Sequence, residues 1–327
     1  MAWDRLGGVA RVRPDALGAL LNRQPVLILD GGLATELEAQ GCNLDDPLWS
    51  ARVLVEAPDE IRDLHREYLE AGADCIVTAS YQASIAGFGE RGMDRAEAST
   101  TLLSSVRLAQ EAREEFWSVP ENRRGRRQPL IAASIGPYGA FLADGSEYTG
   151  DYDLDAAGLE EFHRERLRLL ADSGADLLAC ESIPSRIEAG VLVRLLDETH
   201  DARAWISFTC RDAEHLSDGT EIDRVAEEVA SSPRVVAVGV NCTAPRNLSG
   251  IIARIRAATD KPIVAYPNSG EIWDSPSRSW RPGEESLDLA FAAPSWVELG
   301  ARVIGGCCRI GPNDIRRLRR RLLSATP

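Results

Sequence analysis

The chain has 327 residues, 44% of them hydrophobic, and carries a formal net charge of −14 from 37 Lys+Arg against 51 Asp+Glu. Length and apolar content exclude a disordered chain and allow one large α/β barrel, which runs to roughly 250 residues or more. The acidic balance argues against nucleic acid and against an anionic membrane as partners. Lys261 is the sole lysine, so lysine-centred covalent chemistry has one candidate. The first thirty residues scatter charge where a secretion signal needs an apolar run. No stretch approaches 18 consecutive apolar residues, and the chain reads as cytoplasmic with no membrane span.

In chain order, a first apolar run, VLILD (26–30), is followed by the long segment GGLATELEAQGCNLDDPLWSARVLVEA. PDEIRDLHREYLEAG then predicts a helix, with Pro58 in its first turn, early acids and Gly72 at its end. ADCIVTAS (73–80) and PLIAASIG (129–136) are the second and third runs; the third opens into a long connection, GPYGAFLADGSEYTGDYDLD. LEEFHRERLRLLADSG sets Leu159, Phe162, Leu167 and Leu170 on one helical face and ends on Gly174. There follow ADLLACES (175–182), the helix SRIEAGVLVRLLDETH, ARAWISFT (202–209), the helix EIDRVAEEVASS and VVAVGVNC (235–242). The helix LSGIIARIRAATD and KPIVAYPN (261–268) come next. A second long connection, SGEIWDSPSRSWRPGEESLD, leads to ARVIGGCC (301–308) and a last helix, PNDIRRLRRRLL.

Each run is nearly continuous in apolar residues, as a parallel strand buried on both faces requires. Eight such runs alternating with helices predict an α/β chain, a (β/α)8 TIM barrel with long active-site loops; an open doubly wound sheet is the alternative. No linker or shift in composition divides residues 1–327, which read as a single domain.

A barrel's active site lies at the C-terminal ends of its strands. Those ends carry Asp30, Thr78, Gly136, Glu181, Thr209, Asn241, Cys242, Asn268, Cys307 and Cys308, whereas Lys261 starts its strand at the opposite end. Cys242 and Cys307–Cys308 lie two strands apart, about 10 Å between strand axes, so three sulfurs can converge on one ion. Neighbouring strand residues face opposite ways, and Gly305–Gly306 permits the departure from strand geometry that would bring both vicinal thiols to one metal. Three protein ligands would leave the fourth zinc position open, as in catalytic sites. Core thiols and a Cys307–Cys308 redox pair remain alternatives; Cys42, Cys75, Cys180 and Cys210 read as small buried hydrophobes.

Asp30, followed by two glycines that admit close approach to the backbone, and Glu181 suit an ammonium group; backbone hydrogen bonds or Arg pairing would serve equally. The long loops carry Tyr138, Phe141, Tyr148, Tyr152, Trp273 and Trp280 beside Asp144, Glu147 and Glu271. That combination attracts a desolvated cation such as a sulfonium, or else packs as a lid. No phosphate-binding glycine loop and no His-based metal pattern is present.

DGGLATELEAQGCNLDDPLWS, VTASYQAS, SIGPYGAFLADGSEYTGDY, DLLACES, SFTCRDAEHLSDGT, GVNC, YPNSGE and GGCCR together resemble the zinc-dependent homocysteine S-methyltransferases, over residues 26 to about 320. The likeness is greatest to bacterial members that use S-methylmethionine. It implies a (β/α)8 barrel whose Zn2+ is held by thiolates matching Cys242, Cys307 and Cys308. Homocysteine's thiol would take the open position, its ammonium would meet Asp30 and Glu181, and its carboxylate would lie near Gly31 and Thr78. The chain ends soon after its eighth helix, without the terminal arm of betaine-using relatives, which favours S-methylmethionine as donor. S-adenosylmethionine as donor, a corrinoid donor, and a non-enzymatic thiol-binding or redox-sensing protein are the competing readings.

Overall fold

The computed structural model describes residues 15–44, 50–274, 279–281, 283 and 286–323. Eight strands run parallel in one sheet: β1 (Leu27–Ile28), β2 (Cys75–Val77), β3 (Leu130–Ile135), β4 (Leu177–Ile183), β5 (Ala204–Phe208), β6 (Val235–Asn241) and β7 (Ile263–Tyr266), with β10 (Ala301–Ile304). Between the last two, β8 (Ile272–Asp274) and β9 (Ser279–Arg281) form an antiparallel hairpin within the long connection after β7. The order β1-β10-β7-β6-β5-β4-β3-β2 returns on itself through a parallel bridge between Leu29 and Cys75. Hydrogen bonds from Asp30 N to Cys75 O (3.2 Å) and from Asp74 N to Ile28 O (2.7 Å) sew that seam. The sheet is therefore a TIM barrel and not an open doubly wound sheet.

Strand side chains alternate between two apolar layers. Leu27, Leu29, Cys75, Ala132, Ala179, Trp205, Ala237, Val264 and Val303 fill the barrel interior. Ile28, Ile76, Ile131, Cys180, Ile206, Val238 and Ile304 pack outward under the helices. Both layers are apolar, which is why each run reads as continuous. The interior layer also takes in Leu17, Leu20 and Leu21 from the short helix Ala16–Leu21, which closes the floor of the barrel.

The predicted helices form at Pro58–Ala71, Ala156–Ala171, Arg186–Glu198, Ile222–Ala230, Leu248–Ala258 and Pro312–Leu323. Gly72 caps the first of these at φ 117°, a left-handed conformation that a side chain would strain. Arg95–Ser118, the longest helix, was not among those read from the sequence. Its capping box, Asp94 and Glu97 each accepting the other's backbone N–H, is the signal that would have marked it. No described helix is long and apolar enough to cross a membrane. Lys261 lies at the floor, as expected, its Nζ donating to Ser232 O (2.6 Å) and Val235 O (2.5 Å).

Candidate active site

At the mouth of the barrel β10 stops at Ile304, and Gly305–Cys308 leave it as loop. That departure lets both vicinal thiols reach Cys242, which directly follows β6. The three Sγ atoms lie within 4.8 Å of one another. Cys308 Sγ is 4.0 Å from each of the others, and Cys242 and Cys307 are joined as a disulfide. The redox alternative named the vicinal pair; the bonded pair instead spans β6 and β10.

Tetrahedral zinc with Zn–S bonds of about 2.3 Å needs sulfurs about 3.8 Å apart, so the Cys308 spacings fit and the disulfide must be reduced for a metal to enter. Burial pushes the Cys308 thiol up to about 12, so a cation among the sulfurs is what would hold it as a thiolate near neutrality. An all-sulfur donor set at one open mouth suits a thiophilic ion.

The backbone here is strained. Five described non-glycine residues have positive φ, and three border this site: Ser182 (60°), Cys242 (46°) and Arg309 (66°). Such residues persist where surrounding structure fixes them, and they cluster at functional sites. Gly31 and Gly32 explain part of the fixing. A Cβ on Gly31 would fall 2.1 Å from Ile310 O, and one on Gly32 would fall 2.5 Å from Cys307 O. What approaches the glycine pair closely is thus the chain's own cysteine loop. Gly306 N donates to Asp30 O (3.0 Å) and Cys307 N to Pro267 O (2.8 Å), tying that loop to β1 and β7.

Two carboxylates sit beside the thiols. Asp30 is buried and accepts Val77 N–H at 2.8 Å. Burial raises its pKa well above the usual carboxylate range, and Glu181 raises it further. Glu181 accepts from Ser134 Oγ on one oxygen and from Tyr266 Oη (3.0 Å) on the other, and burial raises it as well. Arg166 offsets Glu181 only in part and directs its donors to the carbonyls of Gly136, Ser80 and Tyr81. Thr78 Oγ1 lies 2.7 Å from Ser80 Oγ and accepts Ser134 N–H at 3.1 Å. Asp30, Thr78 and Glu181 thus share one hydrogen-bonded wall, through Ser134 and Val77, which stands next to Thr78.

Apart from Asn241, which ends its strand, sequence reading passed over that wall's supports. Trp205 Nε1 donates to Tyr266 Oη (3.1 Å), Ser207 Oγ lies 2.6 Å from the same oxygen, and Ser207 donates to Asn241 (2.8 Å). Asn241 in turn holds Ser182, beside Glu181. A signal was present. Along the inward parity, β3 reads Leu130, Ala132, Ser134 and β4 reads Leu177, Ala179, Glu181. β5 reads Trp205 then Ser207, and β7 reads Val264 then Tyr266. Each steps from apolar at the floor to polar at the mouth.

The loop after β3 divides its aromatics. Tyr138 packs against Phe141, Tyr152 and Phe162, and Phe141 against Phe162, at centroid distances of 5.0–5.6 Å, which is lid packing. Tyr148 takes no part in that ring cluster and lies within electrostatic reach of Cys308 and Glu147. Burial raises the Glu147 carboxyl to about 7. Glu271 pairs with Arg309 at 2.7 Å. The side chains of Trp273 and Trp280, and residues 45–49 of the DDPLW segment, lie outside the described residues. Cys75 and Cys180 are buried, Cys42 and Cys210 half-buried, and none joins the sulfur cluster.

The family model for homocysteine S-methyltransferases matches residues 27–322. This chain belongs to that family. The homocysteine S-methyltransferase of Escherichia coli (strain K12) is 51% identical over 306 residues, spanning 93% of this chain and 98% of that protein. The homocysteine S-methyltransferase YbgG of Bacillus subtilis (strain 168) is 48% identical over 299 residues, 91% of this chain and 95% of its own. The crystal structure of the homocysteine methyltransferase MmuM from Escherichia coli in its metallated form superposes with a TM-score of 0.84 at 48% identity, covering 93% of this chain and 99% of that one. Within the family assignment, the three cysteines are a site where a metal fits, and the protein is a methyltransferase by family.

Proposed function

We propose that this enzyme transfers a methyl group from a sulfonium donor, S-methylmethionine in preference to S-adenosylmethionine, to the sulfur of homocysteine, giving methionine. The observation that carries the reading is the convergence of three cysteine sulfurs within 4.8 Å at the mouth of a barrel that also buries two carboxylates there. Cys242, Cys307 and Cys308 would hold Zn2+, which when bound supplies the Lewis acidity that keeps a fourth sulfur deprotonated at neutral pH.

The remaining work falls to the chain's own groups. Asp30 and Glu181 take the homocysteine ammonium, which supplies the positive charge their burial lacks. Gly31 and Thr78 border the substrate carboxylate. Held at both ends, the substrate presents its sulfur in line with the donor methyl. A C–S bond forms to homocysteine as the donor's C–S bond breaks and its electron pair returns to the donor sulfur. Thiolate and sulfonium become two neutral thioethers, a loss of charge that a water-poor pocket favours.

The test uses protein purified under reducing conditions with zinc. Methionine formation from homocysteine is measured with S-methylmethionine, S-adenosylmethionine and betaine offered separately at equal concentration. The expected result is the largest kcat/KM with S-methylmethionine and about one zinc per chain. A tenfold advantage for either other donor overturns the donor assignment, and no transfer from any donor overturns the function.

A further inference from the structure

Among the described residues, three buried side-chain carbonyl or carboxylate oxygens have no hydrogen-bond donor: Gln82 Oε1, Glu147 Oε2 and Asn268 Oδ1. All three lie in segments that follow β2, β3 and β7, so they collect at the mouth of the barrel. Ser146 Oγ, beside Glu147, is a fourth unpartnered oxygen, and the other unpartnered buried atoms are nitrogens of Arg and His. A mouth holding buried acceptors without donors is built for a ligand that brings positive charge or N–H groups.

Glu147 is the charged member. Its segment is packed tightly within the loop, where a Cβ on Gly139 would fall 2.4 Å from Glu147 N, and is tied to the end of β5 by Thr209 Oγ1 donating to Glu147 O at 3.3 Å. Tyr148 lies within electrostatic reach of Cys308, Glu147 and Tyr81. Tyr81 has the same neighbours, Glu147 and Cys308, and its ring lies against the backbone of Gly136, where a Cβ would fall 2.8 Å from it. One carboxylate and two half-buried tyrosines, in the segments after β2 and β3, thus stand at the same mouth as Cys308, while Asp30 and Glu181 form the other wall. We propose that Glu147, with the rings of Tyr81 and Tyr148, is the subsite that recognises the cationic sulfonium of the methyl donor. This deepens the function proposed above and rests on its sulfonium reading.

The chemistry discriminates by charge. A sulfonium is attracted to a carboxylate and to aromatic faces, whereas the thioether it becomes is not. The contact is strongest before transfer and fades as the charge cancels, so it acts on donor binding and product release more than on the chemical step. Loss of Glu147 should raise the donor KM and leave kcat and the homocysteine KM within about twofold.

The experiment measures binding by calorimetry to the zinc-loaded enzyme without homocysteine, comparing S-methylmethionine with methionine, and S-adenosylmethionine with S-adenosylhomocysteine. The wild type should prefer the sulfonium of at least one pair, and Glu147→Gln should reduce that preference about tenfold or more. Tyr148→Leu, which keeps the carboxylate, should reduce it less, and Tyr148→Phe should leave it intact. An unchanged preference in a folded Glu147→Gln enzyme overturns the inference, as does a loss confined to kcat. If Glu147→Gln does not fold, an unchanged preference in Tyr148→Leu overturns it instead. A wild-type enzyme that transfers methyl from no sulfonium overturns the proposed function itself.

Discussion

At Cys242 the backbone turns into the left-handed region, φ 46°, at the step where β6 ends and a sulfur must point to the mouth. A non-glycine residue held there costs roughly 1–2 kcal/mol, tolerated because the side chain is needed. Cys242→Gly separates the two demands. Under reducing conditions, with the Cys242–Cys307 disulfide open in the parent, the metal-free variant should fold at least as stably as the parent, yet retain no zinc after dialysis; metal analysis showing full zinc would remove Cys242 from the ligand set. Glu181 offers a second test, because Ser134 and Tyr266 fix its two oxygens. Glu181→Gln should keep its zinc and lose about 10–150-fold in kcat/KM for homocysteine, the worth of one charge-assisted hydrogen bond. Unaltered homocysteine kinetics would exclude the ammonium role. The strand-end residues were legible because each ends an apolar run. Tyr266 and Ser134 were not, since they sit within such runs and only the two-residue inward spacing sets them apart.

The loop after β3 is anchored as a unit. Glu188, fully buried on the helix Arg186–Glu198, accepts Tyr138 N–H at 2.6 Å and the Tyr152 hydroxyl, with His163 Nε2 at 2.8 Å. One carboxylate thereby fastens both ends of the segment that carries Glu147 and Tyr148. Tyr152→Phe removes one fastening, about 1.5–3 kcal/mol, and should speed amide exchange across residues 137–155 while β4–β7 exchange as before. Uniform exchange rates would show that the loop is held otherwise. The helix Pro58–Ala71 carries a different liability in His65, fully buried with neither ring nitrogen partnered. Burial lowers its pKa to about 4, against about 6.5 when unfolded. Between those values the unfolded chain binds a proton that the folded chain does not. Stability from this group therefore falls as pH drops from about 6.5 to 4, by roughly 3 kcal/mol in all. Chemical denaturation across that range should show the slope, and His65→Leu should flatten it.

For the molecule as a whole, the barrel needs a floor as well as a wall. Leu17, Leu20 and Leu21 fill the end that the strands leave open, opposite the thiols. Leu17 is 1% exposed, so Leu17→Ala should cost about 2–5 kcal/mol of stability, seen as an earlier urea midpoint with zinc binding unchanged. A midpoint within error of the parent would mean that the floor is dispensable. This plug escaped the sequence reading because six residues are too short for helical periodicity, whereas the eight strands declared themselves by length, β-branched content and spacing. The long helix Arg95–Ser118 escaped for another reason: its Ala, Ser and Thr content mutes the contrast between its faces.

The same polarity between floor and mouth has a practical side. The single lysine, Lys261, is engaged by two carbonyls at the floor, and burial lowers its pKa. Amine-directed reagents therefore find one internal attachment point, the chain's amino terminus aside, and it lies at the far end of the barrel from the sulfurs. Enzyme tethered to a surface or tagged with a dye through Lys261 would keep its mouth turned towards solution.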